Sequence, residues 1–289
     1  VPVAYVRPAE PEVTLRCAPA RSAVVSWNGG GAEGALSLRL RFEGGYRSAW
    51  LPYVKWGPHG RRSLSPRDEE VSIETDVVVA TRPFAAIDVR ATGRVDALAL
   101  ATPAAAPARP AAPAPPLELD VPECSQYAGG ERGWCSPASL VMLLRFHGHG
   151  VALETAARAV HDDAYRGTGN WTFNTAYAAS FGLRSFVAYL RDLDHARAFA
   201  ACGIPLALSY AWGPGELDGA PLAHSAGHLA VLRGFDAAGD PVLNDPAQPA
   251  IRVTYRRAQL ECAWLAHGGV AYVVAPPDGP DPVALVNDA

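Results

Sequence analysis

No stretch of this 289-residue chain approaches the roughly 18 to 20 consecutive apolar residues that a membrane-crossing helix needs, because Gly, Pro or charge interrupts each candidate run. No membrane span is expected. Excess positive charge is missing as well: 25 Lys and Arg stand against 29 Asp and Glu, the net charge is -4, and the arginines are scattered. That removes the electrostatic footprint of a nucleic-acid binder. Metal-ligand spacing is poor. In His224-Ser225-Ala226-Gly227-His228 there is no Glu between the histidines, and Gly227 opposes the helix that would align them, so no metal is expected. Cysteines are few and odd in number: Cys17, Cys124, Cys135, Cys202 and Cys262. Two disulfide pairs in an oxidising compartment would leave one reactive thiol over; buried reduced cysteines are the other reading. The chain also lacks an initial Met, beginning at Val1, which reads as a removed leader or a trimmed chain.

With 49% apolar and 19% charged residues, the chain has the balance of a folded protein long enough for two domains. Residues 101–116 contain six prolines and no large apolar side chain. This is a linker, and its proline density predicts a semi-rigid spacer that holds the flanking parts apart. Before it, residues 1–100 alternate apolar and polar over Arg21 to Trp27, Ala35 to Phe42, Arg47 to Trp56, Val71 to Ala80, Pro83 to Ala91 and Arg94 to Leu100. The pattern predicts an all-β sandwich of six to eight strands. After it, over residues 117–289, helices come first: Ser136 to His147, Ala152 to Val160, Phe173 to Ser180 and a candidate at Ala196 to Ala201. Strands follow at Pro205 to Tyr210, Leu229 to Phe235, Pro241 to Asn244, Ile251 to Tyr255 and Val270 to Val274. That order predicts an α+β architecture.

The residues with chemistry lie in this second part. Gly133-Trp134-Cys135-Ser136-Pro137-Ala138-Ser139 places a thiol at the mouth of a helix, where partial positive charge and unpaired N–H groups favour the thiolate. A thiol nucleophile needs an imidazole as base, an acceptor that orients the imidazole, and donors for the oxyanion of the tetrahedral intermediate. In chain order Gln126, Cys135, His228 and Asp245 offer a side-chain amide donor, nucleophile, base and orienting acid. The backbone N–H of Cys135, without an intrahelical acceptor, would be the second donor. His228 heads an apolar strand and Asp245 follows the next, so a hairpin would join them. Trp134, Asn170, Trp171 and Asn174 are candidate substrate-groove residues; Asn170 is equally suited to cap a helix with Trp171 packed beneath it. His147, His149, His161 and His195 read as surface or helix-end residues. In the first part Trp27, Tyr46, Trp50, Tyr53 and Trp56 are dense. Trp27 reads as core, and the others are either core or a platform for sugar rings or a partner. No acidic pair there has the spacing for glycoside hydrolysis.

These residues resemble the C39-like papain-fold cysteine peptidases. The resemblance rests on Val121-Pro122-Glu123-Cys124-Ser125-Gln126, the segment 133–139, Gly203-Ile204-Pro205, Gly227-His228-Leu229-Ala230-Val231 and Val242-Leu243-Asn244-Asp245-Pro246-Ala247, and it covers residues 118 to about 275. It implies a papain-like fold with Gln126 as oxyanion donor, Cys135 as nucleophile, His228 as base and Asp245 as its partner. It implies no cofactor, and a peptide or protein as substrate. The segment 167–177 is similar to a mainly bacterial subgroup with an N-terminal β-domain, so an exported, secreted or cell-envelope protein is expected. The chain has no G-x-x-x-x-G-K-[ST] loop, which argues against an export-coupled leader peptidase. Two other functions stay open. One is a non-catalytic envelope protein whose aromatic β-domain binds glycan or protein, and the other is an acyl transferase using the same thiol.

Overall fold

The computed structural model describes residues 3–29, 32–103, 114–130 and 133–288. The first half is all-β: β1 (Val3–Val6), β2 (Glu12–Asn28), β3 (Gly34–Phe42), β4 (Leu51–Gly57), β5 (Gly60–Ser63), β6 (Val71–Glu74), β7 (Val77–Thr92) and β8 (Ala97–Ala101). These strands form one hydrogen-bonded path in the order β1-β8-β2-β7-β3-β4-β5, with β6 on β7. Alternation decides the faces. In β3, Leu36, Leu38, Leu40 and Phe42 are buried, while the residues between them are more open. The long strands β2 and β7 pair through register shifts between Arg16 and Ser22, so each contributes to two stretches of the sheet.

Val71 to Ala80, expected as one strand, turns back on itself: Glu74 pairs with Val77, and the two turn residues are Thr75 and Asp76. A two-residue hairpin needs a left-handed first position, usually Gly or Asn. Here Thr75 occupies it at φ 61°.

In the second half β9 (Leu117–Glu118) precedes α1 (Cys135–Phe146), α2 (Leu153–Val160), α3 (Trp171–Ala179), β10 (Arg184–Tyr189) and α4 (Leu193–Ala201). Then come β11 (Leu206–Trp212), β12 (Ser225–Phe235), β13 (Pro241–Asn244), β14 (Arg252–Thr254), α5 (Arg257–Ala266), β15 (Val270–Ala275) and α6 (Pro282–Asn287). The strands make an antiparallel sheet in the order β10-β15-β11-β12-β13-β14, with β9 on β12. This is the expected α+β region, and α1 lies against β12 and β11. Ser136 to Leu144 are all buried, which makes α1 a core helix. Its Ser139 hydroxyl donates to the Leu229 carbonyl at 3.1 Å, and Ser136 Oγ lies 2.9 Å from Tyr272 Oη. Among the described residues no helix is long and apolar enough to cross a membrane.

Most of the predicted linker, residues 104–113, lies outside the described residues. The expectation that a spacer holds the halves apart is corrected by their packing. Trp27 stacks on Trp56 at 5.3 Å and meets Phe173 of α3 edge-on at 5.8 Å. Across the seam the Val187 N–H donates to Ser26 Oγ (2.9 Å), Ser63 N–H to Asp162 Oδ1 (3.1 Å) and Asp163 N–H to the Arg61 carbonyl (3.0 Å). One apolar cluster includes Val25, Trp27 and Tyr53 together with Leu140, Phe173 and Leu229. Proline content sets the stiffness of a connection, but complementary apolar faces on the two halves decide whether they dock.

Candidate active site

Cys135 opens α1. Gly133, at φ 83°, lets the chain reverse before it, and the Trp134 carbonyl already accepts the Ala138 N–H at 3.0 Å. The Cys135 N–H therefore points out of the helix start without an intrahelical partner. Burial alone would raise the thiol. A hydrogen bond with His228, that ring's charge, and the backbone N–H groups of Leu229 and Ser136 outweigh it and bring Cys135 below its ordinary value.

His228 lies inside β12, since that strand begins at Ser225 rather than at Leu229. It pairs in register with Tyr210 of β11. Its ring meets Tyr210 (5.5 Å, 87°) and Trp212 (5.6 Å, 85°) edge-on, and those two rings stack on each other. Nε2 donates to Asp245 Oδ1 at 2.7 Å, leaving Nδ1 for the thiol. Asp245 leaves the sheet directly after β13, and the β12–β13 ladder brings it beneath the ring, with Val231 opposite Asn244.

Asp245 is fully buried. Oδ1 also accepts the Ala247 N–H (3.0 Å), and Oδ2 accepts the hydroxyls of Tyr210 (3.1 Å) and Tyr255 (2.8 Å). Burial pushes its carboxyl up, but the hydrogen bond to His228, the ring's charge and the other donors hold it below the usual range. Burial pushes His228 down, and its hydrogen bonds to Asp245 and Cys135, with their charges, lift it well above the usual imidazole value. The three shifts agree in sense, each favouring the charged form of its group: thiolate, imidazolium and carboxylate.

The thiol faces a cleft of about 740 Å³. Trp134 and Trp171 line it, as do Gly133 and Gly227 beside Cys135, together with Glu74, Thr75 and Asp76 from the first half.

The model of the Peptidase_C39 like family matches residues 118–272, more than half of the chain, a span that includes Cys135, His228 and Asp245 but not the Glu74–Asp76 turn. The chain belongs to the Peptidase_C39 like family. Two solved structures are also similar to this member. One, from Bacillus anthracis and described as a C39-like peptidase, is 19% identical, covers 56% of this chain and 98% of its own, and has a TM-score of 0.45. The other is a double glycine motif protease from an AMS/PCAT transporter in complex with its leader peptide, 19% identical, covering 56% of this chain and 97% of its own, with a TM-score of 0.40. Comparison with curated proteins finds no match.

The other candidates in this C39-like chain differ in what holds them. Gln126 is buried against Pro246, whose carbonyl accepts its backbone N–H at 3.0 Å, and its Oε1 has no hydrogen-bond partner among the described residues. Asn170 and Asn174 are spent on structure. Asn170 Oδ1 accepts the Phe173 N–H (3.1 Å) as the cap of α3 while its Nδ2 donates to Asp162 (2.9 Å). Asn174 Nδ2 donates to the carbonyls of Thr168 (2.8 Å) and Asn170 (2.7 Å). All five cysteines are free thiols. His195, read as a surface or helix-end residue, lies in the first turn of α4 and is buried there, with Nε2 3.0 Å from the Leu285 carbonyl.

The aromatic cluster of the first half is mostly interior. Trp27 and Tyr53 are buried, Trp56 stacks on Trp27, and Trp50 is covered by the guanidinium groups of Arg39 (4.5 Å) and Arg90 (4.1 Å). Tyr46 is the exposed member. Sequence reasoning missed Tyr210 and Tyr255, which no motif marks, and the Glu74–Asp76 turn, whose Thr-Asp pair lacks the Gly or Asn signal of a hairpin.

Proposed function

We propose that this family member is a cysteine peptidase that cleaves a peptide bond through a thioester. The observation that carries the reading is the arrangement of the three side chains, with His228 held on Asp245 at 2.7 Å and Cys135 close enough to shift its titration. The Cys135 thiolate attacks the scissile carbonyl, and His228 gives its proton to the leaving amine. Water then enters, losing a proton to His228 as it attacks the thioester, and the thiolate departs. The Cys135 N–H and the Gln126 amide hold the oxyanion in both steps. Asp245, with its four donors, keeps the imidazole oriented and charged.

The test is iodoacetamide labelling of Cys135 against pH, located by mass spectrometry, in the wild type and in His228→Ala. The thiol is lowered and the imidazole raised, so the ion pair fills the interval between them. Labelling should rise at a pH well below the free-thiol value near 8.5 and stay fast through neutrality. In His228→Ala the rise should move toward 8.5. An ordinary thiol profile, unchanged in the variant, rules the reading out.

A further inference from the structure

Among the described residues, three that are not glycine hold a left-handed φ: Thr75 at 61°, Arg166 at 56° and Ile251 at 29°. Two of the three, Thr75 and Arg166, line the cleft that holds Cys135. For a β-branched residue this conformation costs on the order of 1–2 kcal/mol, and it persists only where the surroundings over-determine it. They do so at Thr75. The neighbouring Asp76 accepts the Trp171 N–H on Oδ2 at 2.6 Å, and its carbonyl accepts the Tyr53 hydroxyl at 2.7 Å, so the turn is bolted to α3 and to β4.

The locked turn brings Glu74 to the cleft. Glu74 is exposed, and none of the described ion pairs or hydrogen bonds uses its carboxylate. Tyr165, also exposed, and Trp171 line the same cleft with aromatic surface. An unpaired carboxylate with aromatic rings in the same cleft complements a long basic side chain: the carboxylate takes the charge and the rings take the stem and the cation's face. Arg166 stands in that cleft too, on the loop fixed by Asp162. Its charge repels a basic residue placed beside it, so a second basic residue is not favoured there.

We propose that the Glu74–Asp76 turn of the first half is a specificity-determining wall of the cleft, and that Glu74 receives a Lys or Arg side chain of a peptide substrate. This rests on the peptidase reading for the word substrate, but its test does not need turnover. Fluorescein-labelled decapeptides of Ala, Gly and Ser, carrying a single Lys, Glu or Gln at each position in turn, are titrated by anisotropy onto the full chain carrying Cys135→Ala. One Lys peptide should bind about tenfold more tightly than its Gln counterpart, roughly the worth of one charge-assisted contact. Adding Glu74→Gln should erase the difference, and adding Glu74→Lys should transfer it to the Glu peptide. Glu74 is exposed, so neither change threatens folding. Equal binding of all three peptides at every position, or a Lys preference that survives both Glu74 variants, overturns the proposal and leaves the peptidase reading standing. An ordinary Cys135 labelling profile with the Lys preference intact does the reverse.

Discussion

Gln126 holds a buried amide oxygen that nothing satisfies, an arrangement that costs about 1–3 kcal/mol. A residue kept at that cost is explained if its amide hydrogens are needed for an oxyanion that exists only during acyl transfer. Gln126→Ala should then slow peptide turnover by roughly 100-fold to 1000-fold while leaving the pH profile of Cys135 alkylation unchanged, since the thiolate forms without the oxyanion. Stopped-assay kinetics and mass-spectrometric labelling on one preparation separate the two effects. At this scale Cys135, His228 and Asp245 were legible because each sits in a local context that bends its reading: a helix start, a strand, a strand exit before Pro246. Tyr210 and Tyr255 were not. Their hydroxyls meet Asp245 only because ladder register places Tyr210 opposite His228 and because Tyr255 follows β14, and neither relation leaves a trace in neighbouring residues.

The β6–β7 turn shows what alternation alone cannot resolve. Val71, Ile73, Val78 and Ala80 are buried on either side of it, so the run reads as one strand until Thr75 and Asp76 fold it back. Elements with strong internal period, such as β3 and α1, were found to within one or two residues. In contrast β10, α5 and α6 went unread, because their faces are defined by the partners they pack on. The turn also makes a prediction. Burial drives the Asp76 carboxyl up to about 7 despite the N–H groups of Trp171 and Thr172 that favour its anion. Over the window from about 4 to about 7 the native state holds a proton that the unfolded chain has released. The contribution of Asp76 to stability therefore falls as pH rises through that window. In Asp76→Asn, urea midpoints at pH 5 and pH 8 should lie closer together than in the wild type, by the order of a few kcal/mol in free energy.

At the scale of the whole molecule the two halves share a core. Composition could not show that Trp27, read as interior and found buried, is covered partly by Phe173 from the other half. Removing that ring tests the seam: Trp27→Ala should cost about 3–5 kcal/mol and lower a single cooperative unfolding transition, read in parallel by far-ultraviolet dichroism and by Cys135 labelling. Two separate transitions, with only the first shifted, would mean that the halves fold independently. The termini of the described chain close the same assembly, Asn287 of α6 exchanging hydrogen bonds with both backbone groups of Val3 at 3.0 Å.

The shared seam has a further consequence for biosynthesis. Translation delivers β1 to β8 well before α3 leaves the ribosome, so the apolar face that Trp27 shares with Phe173 lacks its cover until that helix arrives. Until then the nascent first half exposes apolar surface that the finished chain buries. A stop codon after residue 103 should yield a chain that aggregates rather than a free-standing module.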